Sequence, residues 1–430
     1  MRIYRSSEIN AVFERLSRKA EADDNVIQAV RGIIKDVAEK GDEALFDYTK
    51  RFDGFEINVD NIVVTQAEID AAYRQIPADL LKTLKKSAEN VAAFHELQKR
   101  PNYERSIGGA VTGRLVLPMQ RAGVYVPGGK AAYPSSVLMN IIPAKIAGVD
   151  EIIMVTPPGK TGSIEPLTLV AAHLAGADKI LKIGGAQAVA ALAFGTQSVP
   201  KVDIITGPGN AYVAAAKREV YGIVGIDMIA GPSEVLIIAD SNANPAYAAA
   251  DFLSQAEHDE KAASILLTPD LDLAQRIAAE IQRQLERLPR RDIARQSVSD
   301  YGTIVVTESL DEAFDIANSI APEHLEILTE NPKEYLGKVR NAGAVFLGAY
   351  SPEPLGDYFA GPNHVLPTSG TARFSSALSV DVFTKTVNYI DYDKESLESC
   401  WQDIERFADA EGLSAHARSA AIRFEGEERQ

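Results

Sequence analysis

The chain has 430 residues, too many for one small core, and predicts two or more domains. With 46% hydrophobic and 24% charged residues it has the composition of an ordinary globular protein. A net charge of -16 opposes a duplex-binding surface, which needs clustered Lys and Arg to neutralise phosphates, so no nucleic-acid partner is expected.

Met1-Arg2-Ile3-Tyr4-Arg5 leads into polar residues without the apolar region of a secretory signal. No apolar run approaches the ~18 residues that would span a bilayer. A soluble, cytoplasmic protein with no membrane contact is expected. The single cysteine, Cys400, excludes an intramolecular disulfide framework and a Cys-rich zinc site. Its acidic neighbours are poor surroundings for a nucleophilic thiolate, and a structural role is expected.

Apolar spacing at Ile9, Val12, Phe13 and Leu16, and again at Val26, Val30, Ile33, Ile34 and Val37, predicts helices over 7–20 and 25–50. A long helix is expected from Asp79 to about Lys99, carrying His95 as a surface or packing residue. From Ala110 the character changes. Val111, Leu115, Val116 and Leu117 predict a strand, and Gly123-Val124-Tyr125-Val126-Pro127-Gly128-Gly129 a strand running into a Gly-rich turn. Helices over 136–147, 166–175 and 186–194 then alternate with strands over 151–155, 179–183 and 202–205. Such alternation with short loops indicates parallel βαβ units of a nucleotide-binding type, with His173 packed inside one of the helices.

The pattern resumes after Ser233, with a strand over 234–239 and a helix capped by Asn244 with Pro245 in its first turn. A strand over 264–267, a helix over 271–288 and strands near Ile304 and Val345 complete a second α/β domain. No repeat of 20 to 50 residues is visible, which excludes a solenoid. Beyond about Ser375 the chain becomes acidic and more helical, an appendage that could reach another subunit. The expected fold is α/β: two Rossmann-like α/β domains with a small N-terminal helical segment and a C-terminal helical arm.

Three turns follow strand ends: Pro127-Gly128-Gly129, Gly184-Gly185-Ala186-Gln187 and Gly207-Pro208-Gly209-Asn210. Glycine there lets backbone approach a phosphate or ribose, and each turn opens toward a helix N-terminus whose free N–H groups favour anions. None matches the Gly-x-Gly-x-x-Gly fingerprint. Tyr125, Gln187 and Asn210 flank them with an aromatic ring and two amides suited to a nucleotide.

Gln255 and His258, three residues apart, share one helix face and make half of a metal site. Ala321-Pro322-Glu323-His324-Leu325 puts a carboxylate beside an imidazole, two proton-transfer groups if both reach one cavity. Gly356-Asp357-Tyr358-Phe359-Ala360-Gly361-Pro362-Asn363-His364 offers Asp357 as a metal donor and His364 for metal or substrate. Glu411-Gly412-Leu413-Ser414-Ala415-His416 adds another acid and imidazole. Gln255, His258, Asp357 and His416 together would form an N2O2 set suited to Zn2+ with positions left for substrate.

Gln255-Ala256-Glu257-His258, Pro322-Glu323-His324-Leu325-Glu326, the segment Gly356 to His364 and Gly207-Pro208-Gly209-Asn210-Ala211 resemble the motifs of the histidinol dehydrogenase family, in order over nearly the whole chain. The resemblance implies NAD-linked oxidation of L-histidinol through the aldehyde to L-histidine, the last steps of histidine biosynthesis. It implies one Zn2+ per subunit on Gln255, His258, Asp357 and His416, the last donated by the arm of a partner in a homodimer with shared sites. Glu323 and His324 become the acid/base pair. Ser233, His364 and Glu411 become substrate contacts together with Gln255, His258, His324, Asp357 and His416, and Tyr125, Gln187 and Asn210 line the NAD site. The implied division is 1–22 as the N-terminal segment, 23–124 with 235–376 as the domain carrying most zinc and catalytic residues, 125–234 as the NAD-binding domain, and 377–430 as the arm. Alternatives are a zinc hydrolase, a non-catalytic relative, and a dehydrogenase of another amino alcohol or polyol.

Overall fold

A computed structural model describes residues 2–16, 24–128 and 133–425. Residues 17–20 of the first expected helix, Gly129 of the first turn and the tail from Gly426 lie outside these. By internal contacts the chain forms two units, residues 1–98 with 119–383, and residues 99–118 with 384–430.

In chain order the strands are β1 (Ile3–Arg5), β2 (Tyr103–Ile107), β3 (Ala110–Pro118), β4 (Arg121–Tyr125), β5 (Glu151–Val155), β6 (Lys179–Leu181), β7 (Ile204–Thr206), β8 (Gly225–Ile226), β9 (Glu234–Ala239), β10 (Ala263–Thr268), β11 (Thr303–Val306), β12 (His324–Leu328), β13 (Ala344–Leu347) and β14 (Thr384–Tyr392).

The larger unit holds two parallel sheets. One runs β6-β5-β4-β7-β8. Its strands are continuous apolar runs because both faces are covered. Val124, Ile152 and Met154 point into one core, with the helices Pro134–Ala147 and Pro166–Ala175. Tyr125, Ile153 and Val155 point into the other, with the helices Asp24–Lys40, Gly185–Phe194 and Ala211–Val220, as the two-residue period of a strand requires.

The helix expected over 25–50 is two, Asp24–Lys40 and Asp42–Asp53. Gly41 separates them at φ 60, and the Gln197 side chain occupies the space where a Cβ would stand. Gln197 Oε1 accepts from the Asp42 N–H at 2.8 Å, so a residue far along the chain caps the second helix.

The second sheet runs β1-β11-β10-β9-β12-β13. Val235, Ile237 and Leu266 pack beneath the helices Pro245–Ala256 and Leu271–Leu285, while Leu236, Ile238 and Ile327 pack against Ile9–Leu16 and Leu310–Ile320. The N-terminal segment, expected to be purely helical, opens with edge strand β1, whose three residues are too few to show a period. In both sheets the first three consecutive strands wind outward and the next restarts beside the first, the doubly wound order. The strand order therefore reverses between β4 and β7 in one sheet and between β9 and β12 in the other.

In the smaller unit β14, β3 and β2 form an antiparallel sheet, followed by the helices Lys394–Glu398, Trp401–Ala410 and Ser414–Ala421. The arm was expected to be helical, and β14 was not foreseen. Thr384, Thr386, Val387, Tyr389, Ile390 and Tyr392 are strand formers, a signal present in the sequence. The strand over 110–118, expected to lead into the α/β region, pairs instead with β14.

His95 is buried and packs as expected, donating from Nδ1 to the Val91 carbonyl at 2.8 Å. His173 is on its expected helix but exposed rather than packed, with Nδ1 3.1 Å from the Tyr73 hydroxyl. Among the described residues, no helix is long and apolar enough to cross a membrane.

Candidate active site

The site is built at the amino ends of β9 and β12, which are neighbours in the sheet. The Glu234 N–H, opening β9, donates to Glu323 Oε2 at 2.9 Å. Its carbonyl lies 3.1 Å from His324 Nδ1. A carbonyl can only accept, so Nδ1 carries the proton and Nε2 carries the basic lone pair. Among the described residues Nε2 is buried without a hydrogen-bond partner, 3.9 Å from Glu353 Oε1. Phe346 flanks the ring, centroids 5.9 Å apart.

Glu323 is almost wholly buried, and burial pushes its carboxyl up to about 8. The Glu234 N–H and the Ser233 hydroxyl work the other way by bonding the ionised form. One carboxyl is thereby held close to the pH at which it can both give and take a proton.

Asn244 Oδ1 accepts from the Ala246 N–H at 2.9 Å and starts the helix Pro245–Ala256. As the crossover after β9, this helix runs back toward the amino ends of the strands and delivers Gln255 there. Gln255 is 1% exposed, and its Oε1 is buried with no hydrogen-bond partner among the described residues. His258, expected on the helix, follows it in a turn where its N–H donates to the Gln255 carbonyl at 3.2 Å.

The short helix Glu353–Tyr358 supplies the acids. Donor atoms of His258, Glu353 and Asp357 lie within 4.8 Å of one another. His364 Nδ1 donates to the Asp357 carbonyl at 3.0 Å and stands 3.5 Å from its carboxylate. Burial works to raise the Asp357 carboxyl, but the His364 hydrogen bond and the surrounding imidazoles hold it below its ordinary value. Burial and the charge of Asp357 push Glu353 up to about 8. In Asp357 the cluster has a carboxylate of low proton affinity beside the His258 imidazole, as a divalent cation requires.

Glu353, Glu326, Asp251 and Glu234 were not anticipated. Glu326 Oε1 accepts from the Glu353 N–H at 3.0 Å, anchoring the helix that carries Asp357. Burial raises the Asp251 carboxyl, and burial with the charge of Asp251 raises that of Glu326. Their signal was an acid inside an otherwise apolar strand or helix, as in His324-Leu325-Glu326-Ile327-Leu328 and Ala248-Ala249-Ala250-Asp251-Phe252.

The other expected site residues stand on other elements. Glu411 and His416 belong to the smaller unit, both exposed, beside a groove also lined by Cys400, Ile404, Phe407 and Leu413. Tyr125, Gln187 and Asn210 belong to the other sheet. Tyr125 ends β4 with its ring in the core, and its hydroxyl accepts from the Gly185 N–H at 3.1 Å. Gln187 is buried with Oε1 unpartnered among the described residues, and Asn210 caps the helix Ala211–Val220 by accepting from the Tyr212 and Val213 N–H groups.

The sequence profile of the histidinol dehydrogenase family matches residues 16–424. The chain is 54% identical over 411 residues to the histidinol dehydrogenase of Heliobacterium mobile, covering 95% of this chain and 96% of that one. To that of Halalkalibacterium halodurans it is 56% identical over 400 residues, covering 93% and 94%. The crystal structure of histidinol dehydrogenase from Elizabethkingia anophelis superposes with a TM-score of 0.92 at 40% identity, covering 98% of this chain and 97% of that one. Matched along nearly its full length in both sequence and fold, the chain belongs to the histidinol dehydrogenase family.

Proposed function

We propose that this protein oxidises L-histidinol through L-histidinal to L-histidine, the last steps of histidine biosynthesis. It does so as a cytoplasmic homodimer with shared sites, one Zn2+ per subunit and NAD as oxidant. The observation that carries this reading is His324 Nε2, a buried lone pair with no partner among the described residues, set beside a cluster of metal donors.

Gln255, His258 and Asp357 fit a zinc ion. Gln255 Oε1 is an otherwise unsatisfied buried acceptor, which a cation would satisfy, and the His258 and Asp357 donors lie close together. His416 from the arm of the partner subunit would be the fourth ligand. Bound zinc would hold the imidazole and amine nitrogens of histidinol and so fix the carbinol carbon.

Turning the alcohol into the acid removes two hydrides, and bound NAD would supply the acceptor for each. In the first oxidation His324 takes the hydroxyl proton at Nε2 while the carbinol C–H bond breaks, and the electron pair of the O–H bond becomes the second bond of the aldehyde carbonyl. In the second, Glu323 as carboxylate takes a proton from water as its oxygen adds to the aldehyde, while the His324 imidazolium returns its proton to the carbonyl oxygen; His324, neutral again, then deprotonates the resulting gem-diol as its C–H bond breaks. The Nδ1–H bond to the Glu234 carbonyl holds the His324 ring in one tautomer throughout. Ser233, His364 and Glu411 would contact substrate, and Tyr125, Gln187 and Asn210 would line the NAD site. The division the resemblance implies is 1–22, 23–124 with 235–376, 125–234 and 377–430, but the helix Asp24–Lys40 and β4 pack with the five-stranded sheet of 125–234, and 110–118 pairs with the arm.

NADH formed per histidinol consumed tests the reading, with and without a chelator. A ratio of about two, lost on chelation and restored by zinc, is expected. A ratio of about one, or turnover indifferent to chelation, would remove the two-step zinc reading. Turnover of another amino alcohol in preference to histidinol would favour the alternative substrate class.

A further inference from the structure

In the five-stranded sheet β4 and β7 end side by side where the strand order reverses, the place at which open α/β sheets take their ligands. The turn leaving β7 is Gly207-Pro208-Gly209, and Gly207 lies against the end of β4. A Cβ there would stand 2.0 Å from the Tyr125 carbonyl oxygen, and φ is 110. The turn has room for backbone alone.

Two charged side chains grip that backbone from behind. Asp227 Oδ2 accepts from the Gly207 N–H at 2.8 Å, and Lys217 Nζ donates to the Gly207 carbonyl at 2.9 Å. Lys217 and Asp227 also form an ion pair with each other, and their side chains are 3% and 1% exposed. Even with its hydrogen bonds met, a buried ion pair is often no more stabilising than a well-packed apolar pair of similar volume, so stability alone is a weak reason for it. What it does supply is a fixed orientation of one peptide. Lys217 sits two turns into the helix Ala211–Val220, and through Gly207 it reaches back to the turn that leads into its own helix. The triangle locks the turn, the Asn210 cap and the first N–H groups of that helix as one body.

We infer that Lys217 and Asp227 are positioning residues for the dinucleotide: they hold the Gly207 turn in the shape that receives the pyrophosphate of NAD at the carboxyl ends of β4 and β7. This rests on the reading that NAD binds this sheet. Neither side chain touches substrate or cofactor. A clamp of this kind bears on the cofactor and leaves the amino-alcohol site at β9 and β12 alone.

The test uses the zinc-loaded enzyme. In Lys217→Met/Asp227→Leu both bonds to Gly207 are gone and no buried charge is left unpaired. KM for NAD is expected to rise about tenfold, with KM for histidinol and kcat at saturating NAD within about threefold. Lys217→Met/Asp227→Asn keeps an amide oxygen for the Gly207 N–H, and KM for NAD should fall between wild type and the first variant. This milder variant carries the test should the first not fold. An unchanged KM for NAD in a variant that melts as a folded protein, or equal rises in both KM values, would overturn the positioning role. Hydrogen exchange on the wild-type enzyme separates this from the reading beneath it. NAD should slow exchange across 204–213; no protection there sinks NAD binding at this sheet, whereas protection with unchanged KM in the variants sinks the clamp alone.

Discussion

His324 points its Nδ1–H at the carbonyl of Glu234, 3.1 Å away, and thereby keeps its other nitrogen as a buried base. The two residues are adjacent in space only because β9 and β12 pair in parallel with His324 opposite Val235. Ring orientation, tautomer and basicity at Nε2 all follow from that one pairing.

Replacing His324 by Gln removes the base without adding charge. We expect kcat to fall by about 10²–10⁴-fold with little change in KM for histidinol, since proton removal is felt in the transition state. Steady-state rates with histidinol check this, and a loss below about tenfold would show that another group takes the proton.

Glu323 acts on water only as carboxylate, and burial pushes its carboxyl up to about 8. The protonated form is therefore favoured below that pH, and the rate of histidinal oxidation should climb as pH rises toward 8 and then level. Glu323→Gln should flatten this limb and slow histidinal oxidation more than histidinol oxidation. Separate pH profiles with the two substrates decide the matter, and an identical rising limb in the variant would assign it elsewhere.

Gln255 offers a buried oxygen with no hydrogen-bond partner among the described residues, and His258 an imidazole beside Asp357. His258→Asn and Gln255→Ala should each weaken zinc retention by about tenfold or more. Metal content after dialysis, measured by atomic emission, reports this without any assay of activity. Full zinc occupancy in both variants would remove these side chains from the ligand set.

Gly207 cannot carry a side chain. Gly207→Ala puts a Cβ 2.0 Å from the Tyr125 carbonyl oxygen in a left-handed backbone, at an expected cost of ~3 kcal/mol or more. Calorimetry should show a lower melting temperature or little soluble protein. An alanine variant with wild-type stability would mean that the ends of β4 and β7 part more easily than their packing suggests.

Much of the fold was legible because it is written in local patterns. Glu151–Val155, Pro166–Ala175 and Glu234–Ala239 stand as expected, each an apolar run or helical period long enough to declare itself. β14 was missed because its partner β3 lies some 270 residues earlier and neither strand is deeply buried, so no hydrophobic alternation marks the pairing. At the site, the three-residue spacing of Gln255 and His258 was readable, but the helix stops at Ala256 and His258 stands in the turn after it. Glu353 was not readable, since its place beside His324 depends on Glu326 anchoring its N–H from a neighbouring strand.

The sequence by itself determined the alternation that makes two doubly wound sheets, the residue types that can bind a metal or move a proton, and the motif order that marks the family. Only the tertiary structure decided which nitrogen of His324 is basic, that Glu323 is buried deeply enough to hold its proton near neutrality, and that Lys217 and Asp227 share one glycine. Tautomer, proton affinity and loop shape depend on hydrogen-bond partners and lost water. In the case of His324 the partner is 90 residues away along the chain, beyond the reach of any local pattern.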